Sequence, residues 1–570
     1  MYSTTSPLNP TSRTEALQRL ATEELDVLVI GAGVTGAGCA LDAVTRGLKV
    51  GMVEARDYAA GTSSRSTKLF HGGLRYLEQL NFHLVFEALK ERQLALTKLC
   101  PHLAKPLPFL YPLRRPALDR AYAGLGIGVY DVMGAGRGVP RHLRHLTRRK
   151  TLELFPSANR DALTGSIKFY EGQVDDARHT MMIARTAAHY GAICASSTRV
   201  IGFVREADHV AGVVVKDLES GEEFEVRAKQ TINATGVWID EIQRMLGGRG
   251  QFRVRASKGV HLVIPRNRIN SSTGLITRTE KSLLFIIPWG SHWILGTTDT
   301  AWDLDLAHPA ASQADLDYIL EHANGLLADP LTREDVVGVY AGLRPLLAGE
   351  QDSTSRLSRE HAVASPVRGL TMIAGGKYTT YRVMAKDAVD SVVHDLDHTV
   401  PQSCTEDVPL LGADGYQALW NGRQNLAERV GLRVSQVEHL LNRYGSLVAE
   451  LFDLMGQRPE LAHPLDGAAE YLKVEALYAA SHEGALHLDD VLARRTRISI
   501  ETWDRGLAAA PEVAELIAPV LGWNSEDTAR EVEHYQKRVA AERESQHQPD
   551  DLSADAARLG APDVRMGRRQ

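Results

Sequence analysis

The 570-residue chain is short of cysteine, of net charge and of long apolar runs, and each shortage excludes a class of protein. Its four cysteines, Cys39, Cys100, Cys194 and Cys404, lack the paired spacing of a disulfide framework or a zinc site, which suits a reducing cytosol. A formal net charge of −6 argues against a dedicated nucleic-acid binder, which needs a strongly basic face. No run of about 18 apolar residues occurs, so no helical membrane span is expected. Met1–Glu24 is polar and holds no apolar stretch of signal-peptide type. No internal repeat is visible. What remains, 44% hydrophobic and 24% charged, is an ordinary globular composition long enough for two or three domains.

The first strong signal begins at Leu25. Leu25-Asp26-Val27-Leu28-Val29-Ile30 reads as a strand buried on both faces. Gly31-Ala32-Gly33-Val34-Thr35-Gly36 follows, then a small-residue helix over Ala37–Arg46 and a second strand, Leu48–Val53, ending in Glu54. In such a unit Gly31 permits the tight turn, Gly33 admits a pyrophosphate to the backbone, and Gly36 allows close helix–strand packing. The helix N-terminus offers N–H groups and a partial positive charge to the phosphates, and Glu54 accepts from an adenosine ribose. The unit predicts a bound dinucleotide. Thr231–Trp238 (through Asn233-Ala234-Thr235-Gly236) reads as a strand entering a second glycine turn. A late strand, Leu370–Gly376, leads through Lys377 into Tyr378–Arg382. These extra crossings favour FAD over NAD, and a helix N-terminus at the flavin pyrimidine edge would stabilise the reduced ring.

Between these segments, β-type runs occur at Ile193–Phe203, Val210–Asp217 and Glu223–Asn233. Val254–Ile264, Leu283–Pro288 and His292–Gly296 predict an antiparallel sheet. Helical periodicity dominates beyond Pro401, for example Gln436–Tyr444 with Ser435 as N-cap, and Leu472–Ser481. From Ala541 the chain is charged and poor in large apolar groups, and it reads as a disordered tail.

The motifs Gly31–Gly36, Ser63–Leu77, Asn233–Gly236, Gly342–Leu346 and Gly375–Arg382 stand in an order that resembles the FAD-dependent, quinone-linked glycerol-3-phosphate dehydrogenases. The segment Lys68-Leu69-Phe70-His71-Gly72-Gly73-Leu74-Arg75-Tyr76-Leu77 is the most specific part; the glycine triplet is shared with all D-amino-acid-oxidase-like flavoproteins. Tyr378 and Phe70 depart from the Leu and Ile common there, and Leu347–Asp352 is atypical. The resemblance implies an α/β, Rossmann-type FAD domain (25–105, 160–250, 360–400) after an extension at 1–24. It also implies an antiparallel substrate domain (106–159, 251–359), a helical C-terminal domain (401–540) and the tail at 541–570. As FAD contacts it implies Gly31, Gly33, Gly36, Glu54, Ser64, Thr67, Lys68, Leu69, His71, Gly72, Gly73, Ala234, Gly236, Gly376, Lys377, Thr379 and Thr380.

Oxidation of a secondary alcohol by flavin needs cations for the substrate phosphate, a proton acceptor, and groups that hold the C–H near the ring. At motif positions the cations are Arg344, Lys377, Arg75 and Arg359; arginine forks match a phosphomonoester. His261 and His71 compete for the role of base. Strand alternation puts His261 opposite Val260 and Leu262, while His71 and Tyr76 suit substrate orientation. Arg344 also suits stabilisation of an alkoxide. The resemblance implies glycerol 3-phosphate as substrate, membrane quinone as acceptor, no nucleic acid and no metal, and leaves room for a homodimer. A glycine-apolar patch, Ala121–Gly138, beside the basic strip Arg141–Lys150 would suit the inner face of the cell membrane, with the rest of the protein in the cytoplasm. Open alternatives are an oxygen-using glycerol-3-phosphate oxidase, an amine or amino-acid oxidase, and a flavin scaffold without turnover.

Overall fold

Helix α1 (Pro10–Thr22) leads into strand β1 (Leu25–Ile30), helix α2 (Val34–Thr45) and strand β2 (Val50–Val53). The computed structural model describes residues 7–72, 82–114, 144–247, 253–280, 282–347 and 361–566. Close packing explains the glycines of α2: a Cβ on Gly36 would fall 1.9 Å from the Gly31 carbonyl oxygen, and one on Gly38 3.1 Å from the Ala385 methyl. The buried face of α2 lies against Asp176–His189 and Tyr381–Val393. With helices on that side and α1 packed on the other, β1 and β2 are buried along nearly their whole length.

Among the described residues there are two large sheets, the first of eight strands and the second of ten. The parallel centre of the first runs Leu370–Gly375, Glu223–Asn233, β1, β2, Ile193–Ala195, with His361–Val367 antiparallel at one edge. Ile30 pairs with Asn233 and Asn233 with Met372, so three strands of distant sequence end together. The run Ile193–Phe203 is not one strand. It breaks at Ser197 (φ +55°), and Thr198–Glu206 turns away to pair antiparallel with His209–Asp217.

Ten strands form the second sheet, mostly antiparallel around Val254–Pro265, which pairs on one side with His292–Gly296 and on the other with Gly338–Leu347. Gly165–Val174 lies in this sheet against Ala104–Leu113, not in the dinucleotide-binding sheet as its placement in 160–250 implies. Its long pairing with Ala104–Leu113 outweighs its position next in sequence to an α/β helix. A separate core of Leu, Ile and Trp293 side chains fills the face of this sheet under helix Gln313–Asn324.

Beyond 401 the described chain is mostly helical, with one two-stranded ribbon of Pro464–Leu465 and Ala468–Leu472. The helix expected at Gln436 begins at Val434, capped by Arg433 rather than Ser435. The expected disordered tail is a correction. Ser525–Ser545 is one helix, Asp551–Arg558 another, and Ala554, Asp555, Arg558 and Arg565 are buried. Its charges do not stay in water: Asp551 pairs with buried Lys258, and Arg565 pairs with buried Asp490. Composition alone misses such a segment, because paired charges replace apolar area as the reason for order. Among the described residues no helix is long and apolar enough to cross a membrane, and no cluster of metal-ligating side chains occurs. The patch Ala121–Gly138 lies outside the described residues, as do Arg141–Leu143; His145 and Thr147–Lys150 are exposed.

Candidate active site

A cavity of about 870 Å³ opens where the carboxyl ends of the parallel strands meet the second sheet. At one end Gly31 takes φ +98°, a left-handed conformation in which a side chain would be strained. The Ser63 hydroxyl accepts from Val34 N–H (2.9 Å) and pins the first turn of α2. The Glu54 carboxylate is held by backbone N–H groups of Ala32 (2.8 Å) and Arg56 (2.9 Å), so its position is set before a ligand arrives. Ala234–Trp238 and Gly375–Thr379 complete this wall. Gly376 is left-handed as well, at φ +81°.

The other end is built by the second sheet. The register Ser257↔Arg344 and His261↔Tyr340 sets the arginine and the histidine on neighbouring strands facing the same cavity. Gly259 and Gly296 make room for them: a Cβ would fall 2.5 Å from Arg344 Nη2 and 2.4 Å from His261 Cδ2 respectively. Arg344 donates to Thr297 Oγ1 (3.1 Å) and the Thr298 carbonyl (3.3 Å), with Asp299 at 3.9 Å as counter-charge. His261 is buried. Its Nε2 meets Thr67 Oγ1 at 3.1 Å, and its ring stacks on Tyr340 at 4.7 Å. Tyr340 is fixed in turn by donating to the Ser66 carbonyl (3.0 Å), and the Lys68 ammonium stands 4.9 Å from its ring. Burial, with Arg344 and Lys68 nearby, holds the His261 imidazolium well below the usual histidine range, so the ring is neutral. His71 sits differently: its Nδ1 meets Glu171 at 3.0 Å. Burial raises the Glu171 carboxyl, but His71, Arg92 and the Gly72 N–H outweigh it and hold it at about 2.

Gly31, Gly33, Glu54, Thr67, Leu69, His71, Ala234, Gly236, His261, Arg344, Gly376, Lys377 and Thr379 all line this one cavity. Gly36, Ser64, Lys68, Gly72 and Thr380 do not line it. Lys68 is instead fully buried against Asp176 (2.7 Å) and the Ser64 carbonyl, a support for the wall rather than part of it. Gly73, Arg75, Tyr76 and Arg359 lie outside the described residues, as do all of residues 348–360. Sequence reasoning passed over Arg56, Arg65, Thr297 and Tyr340. Arg56 and Arg65 line the cavity and donate to the Ala307 carbonyl at 3.1 and 3.2 Å. Arg65 lay inside a quoted motif, but the pairing of Tyr340 with His261 has no sequence signal. Phe70 and Tyr378, the two departures from the family pattern, pack on each other (5.8 Å) and on His179.

A left-handed glycine turn, a fixed carboxylate one strand away and a second sheet carrying polar groups onto the same cavity are the parts of an FAD-dependent oxidoreductase. The family model described as FAD dependent oxidoreductase matches residues 26–382, and that for the C-terminal domain of alpha-glycerophosphate oxidase matches 403–528. Glycerol-3-phosphate dehydrogenase 2 of Mycobacterium tuberculosis is 60% identical over 558 residues, covering 98% of this chain and 95% of that protein. The mitochondrial glycerol-3-phosphate dehydrogenase of Homo sapiens is 36% identical, over 93% of this chain and 76% of its own length. The solved glycerol-3-phosphate dehydrogenase of Bacillus halodurans, complexed with FAD, superposes with a TM-score of 0.77 at 29% identity, covering 93% of this chain and 98% of that one. The chain belongs to the FAD-dependent glycerol-3-phosphate dehydrogenase family, and its cofactor is FAD.

Proposed function

We propose that this chain oxidises sn-glycerol 3-phosphate to dihydroxyacetone phosphate and delivers the electrons to membrane quinone. The carrying observation is that Arg344, Lys377 and His261 share one cavity with the glycine turn and Glu54. Glu54 and the turn at Gly31–Gly33 would hold the adenosine and pyrophosphate of FAD, whose isoalloxazine supplies the hydride acceptor when bound. Arg344 and Lys377 receive the substrate phosphate, Arg344 with its fork already oriented by Thr297 and Thr298. His261 takes the hydroxyl proton at its unprotonated ring nitrogen, and Thr67 Oγ1, 3.1 Å from Nε2, helps to hold the ring. A neutral imidazole is the form a base requires. Its low proton affinity is set partly by Arg344, so a phosphate dianion on Arg344 removes that repulsion and strengthens the base only when substrate is present.

Anaerobic addition of glycerol 3-phosphate to the yellow protein tests the reaction: bleaching is expected, and an unchanged flavin spectrum defeats the reading. Mixing the reduced protein with air or with a soluble quinone separates the acceptors. Fast reoxidation by quinone and slow reoxidation by oxygen is expected; rapid peroxide release would make it an oxidase. Exposed Arg148, Arg149 and Lys150 support a peripheral seat on anionic lipid, which flotation with anionic vesicles at low salt checks.

A further inference from the structure

A second cavity, about 80 Å³, lies behind Arg65 where Ser64 and Arg65, the second sheet and the C-terminal helices meet. Its lining is strongly cationic: Arg65, Arg494, Arg497, Arg538 and Arg558 surround it, with Glu542 as the carboxylate among them. Arg494 and Arg497 are compensated, the first by Asp57 and Asp490, the second by Asp175 and Asp176. The others are not. Arg538 pairs with Asp489 and Glu542, and Arg558 reaches the same Glu542 only at 3.7 Å. Among the described residues Arg65 has no carboxylate partner, donating only to the Ala307 carbonyl. Arg505, whose guanidinium reaches cavity-lining Gln546 at 3.4 Å, has none either. Of the guanidiniums that line the cavity, Arg65 thus has no carboxylate within ion-pair distance among the described residues, and Arg558 has Glu542 only at 3.7 Å.

We propose that this cavity binds a tetrahedral oxyanion, inorganic phosphate or sulfate, at a second site behind the flavin cavity, with which it shares Arg65. Arginine is the residue suited to such a ligand, since its planar fork meets two oxygens at once and it stays charged on burial more readily than lysine. The volume fits. At about 80 Å³ against about 870 Å³ for the flavin cavity, it suits a small oxyanion better than a larger phosphorylated metabolite. Desolvation leaves the same imprint. Burial and the neighbouring guanidiniums push Arg65 down to about 9, and burial pushes Arg505 to about 10. Glu542, despite burial, is held at about 2 by Arg538, Arg558, Arg505 and Arg65. An oxyanion there relieves repulsion that one glutamate leaves standing.

The test is equilibrium binding of radiolabelled inorganic phosphate to the FAD-loaded enzyme in phosphate-free buffer. Arg344→Ala weakens binding in the flavin cavity, where Lys377 remains, and should leave a second phosphate-binding component unchanged. Arg558→Gln should weaken that component at least about 10-fold. Glu542→Gln, which removes the internal competitor, should tighten it. Sulfate should displace the label and phenyl phosphate should not. Loss of all phosphate binding in Arg344→Ala shows an adventitious or active-site ion only and overturns the proposal. So does a component untouched by Arg558→Gln, or displacement by phenyl phosphate as effective as by phosphate. If Arg558→Gln fails to fold, judged by circular dichroism and FAD content, Glu542→Gln decides alone: tightening supports the site, and unchanged or weaker binding overturns it.

Discussion

His261 and Arg344 divide the chemistry of the second sheet, and each can be removed without touching the glycine turn. His261→Asn keeps the ring's approximate size and should leave FAD bound while slowing flavin reduction about 10²–10⁴-fold. Anaerobic stopped flow reads this directly, and wild-type rates across pH would remove His261 as the base. Arg344→Ala should keep the yellow colour and lower kcat/KM for glycerol 3-phosphate about 100-fold or more, since a charge-assisted pair to the phosphate is lost. Histidines also set the acid limit of stability. His261 lies well below its ordinary value, and burial pushes His179 and His308 to about 3. In the unfolded chain each titrates near 6.5, so the unfolded state binds protons first as pH falls. The contribution of these three histidines is therefore full above about pH 6.5 and declines toward pH 3, by up to ~1.4 kcal/mol per pH unit for each. Urea midpoints measured at pH 7.5, 6 and 5 should fall in that order.

At the scale of elements, the strand–turn–helix unit was legible because its constraints are local. An apolar run, three glycines and one acid at set spacing state a backbone geometry with few alternatives. Gly36→Ala should break it. The added Cβ has only 1.9 Å to the Gly31 carbonyl oxygen, so α2 must shift, costing about 1–3 kcal/mol and the alignment of the phosphate-binding turn. The expected product is a folded, colourless protein; normal FAD content by absorbance would show that the close approach does not matter. Strand edges were less legible. Ile193–Phe203 is continuous in hydrophobicity, and only the left-handed Ser197 divides it between two pairings. Helix starts depend similarly on contacts that periodicity does not carry, as Arg433 in place of Ser435 illustrates.

For the whole molecule, the C-terminal segment joins parts that the sequence holds far apart. Lys258 of the second sheet pairs with Asp551, Ser197 beside the first sheet receives Arg565, and His308 near the flavin cavity faces Asp563 at 3.7 Å. Ala554 packs in the same cluster as Val237, next to the second glycine turn. Ending the chain after His547 should lower unfolding stability by about 3 kcal/mol or more, because buried charges lose partners, and should reduce FAD retention. Thermal unfolding with flavin fluorescence as a second signal measures both. Unchanged values would make the segment dispensable.

Local rules in the sequence were enough for the dinucleotide unit, and the spaced motifs were enough for the family. A glycine that must take a positive φ, or a strand buried on both faces, is constrained by its immediate neighbours and so is written in adjacent residues. Tertiary structure alone decided the rest: that Tyr340 lies under His261, that Lys68 supports the wall instead of lining the cavity, that Gly165–Val174 joins the second sheet, and that the charged C-terminus is ordered. Each depends on a partner tens or hundreds of residues away. Such pairings arise from the way strands register and charges find counter-charges on folding, for which a single sequence holds no local sign.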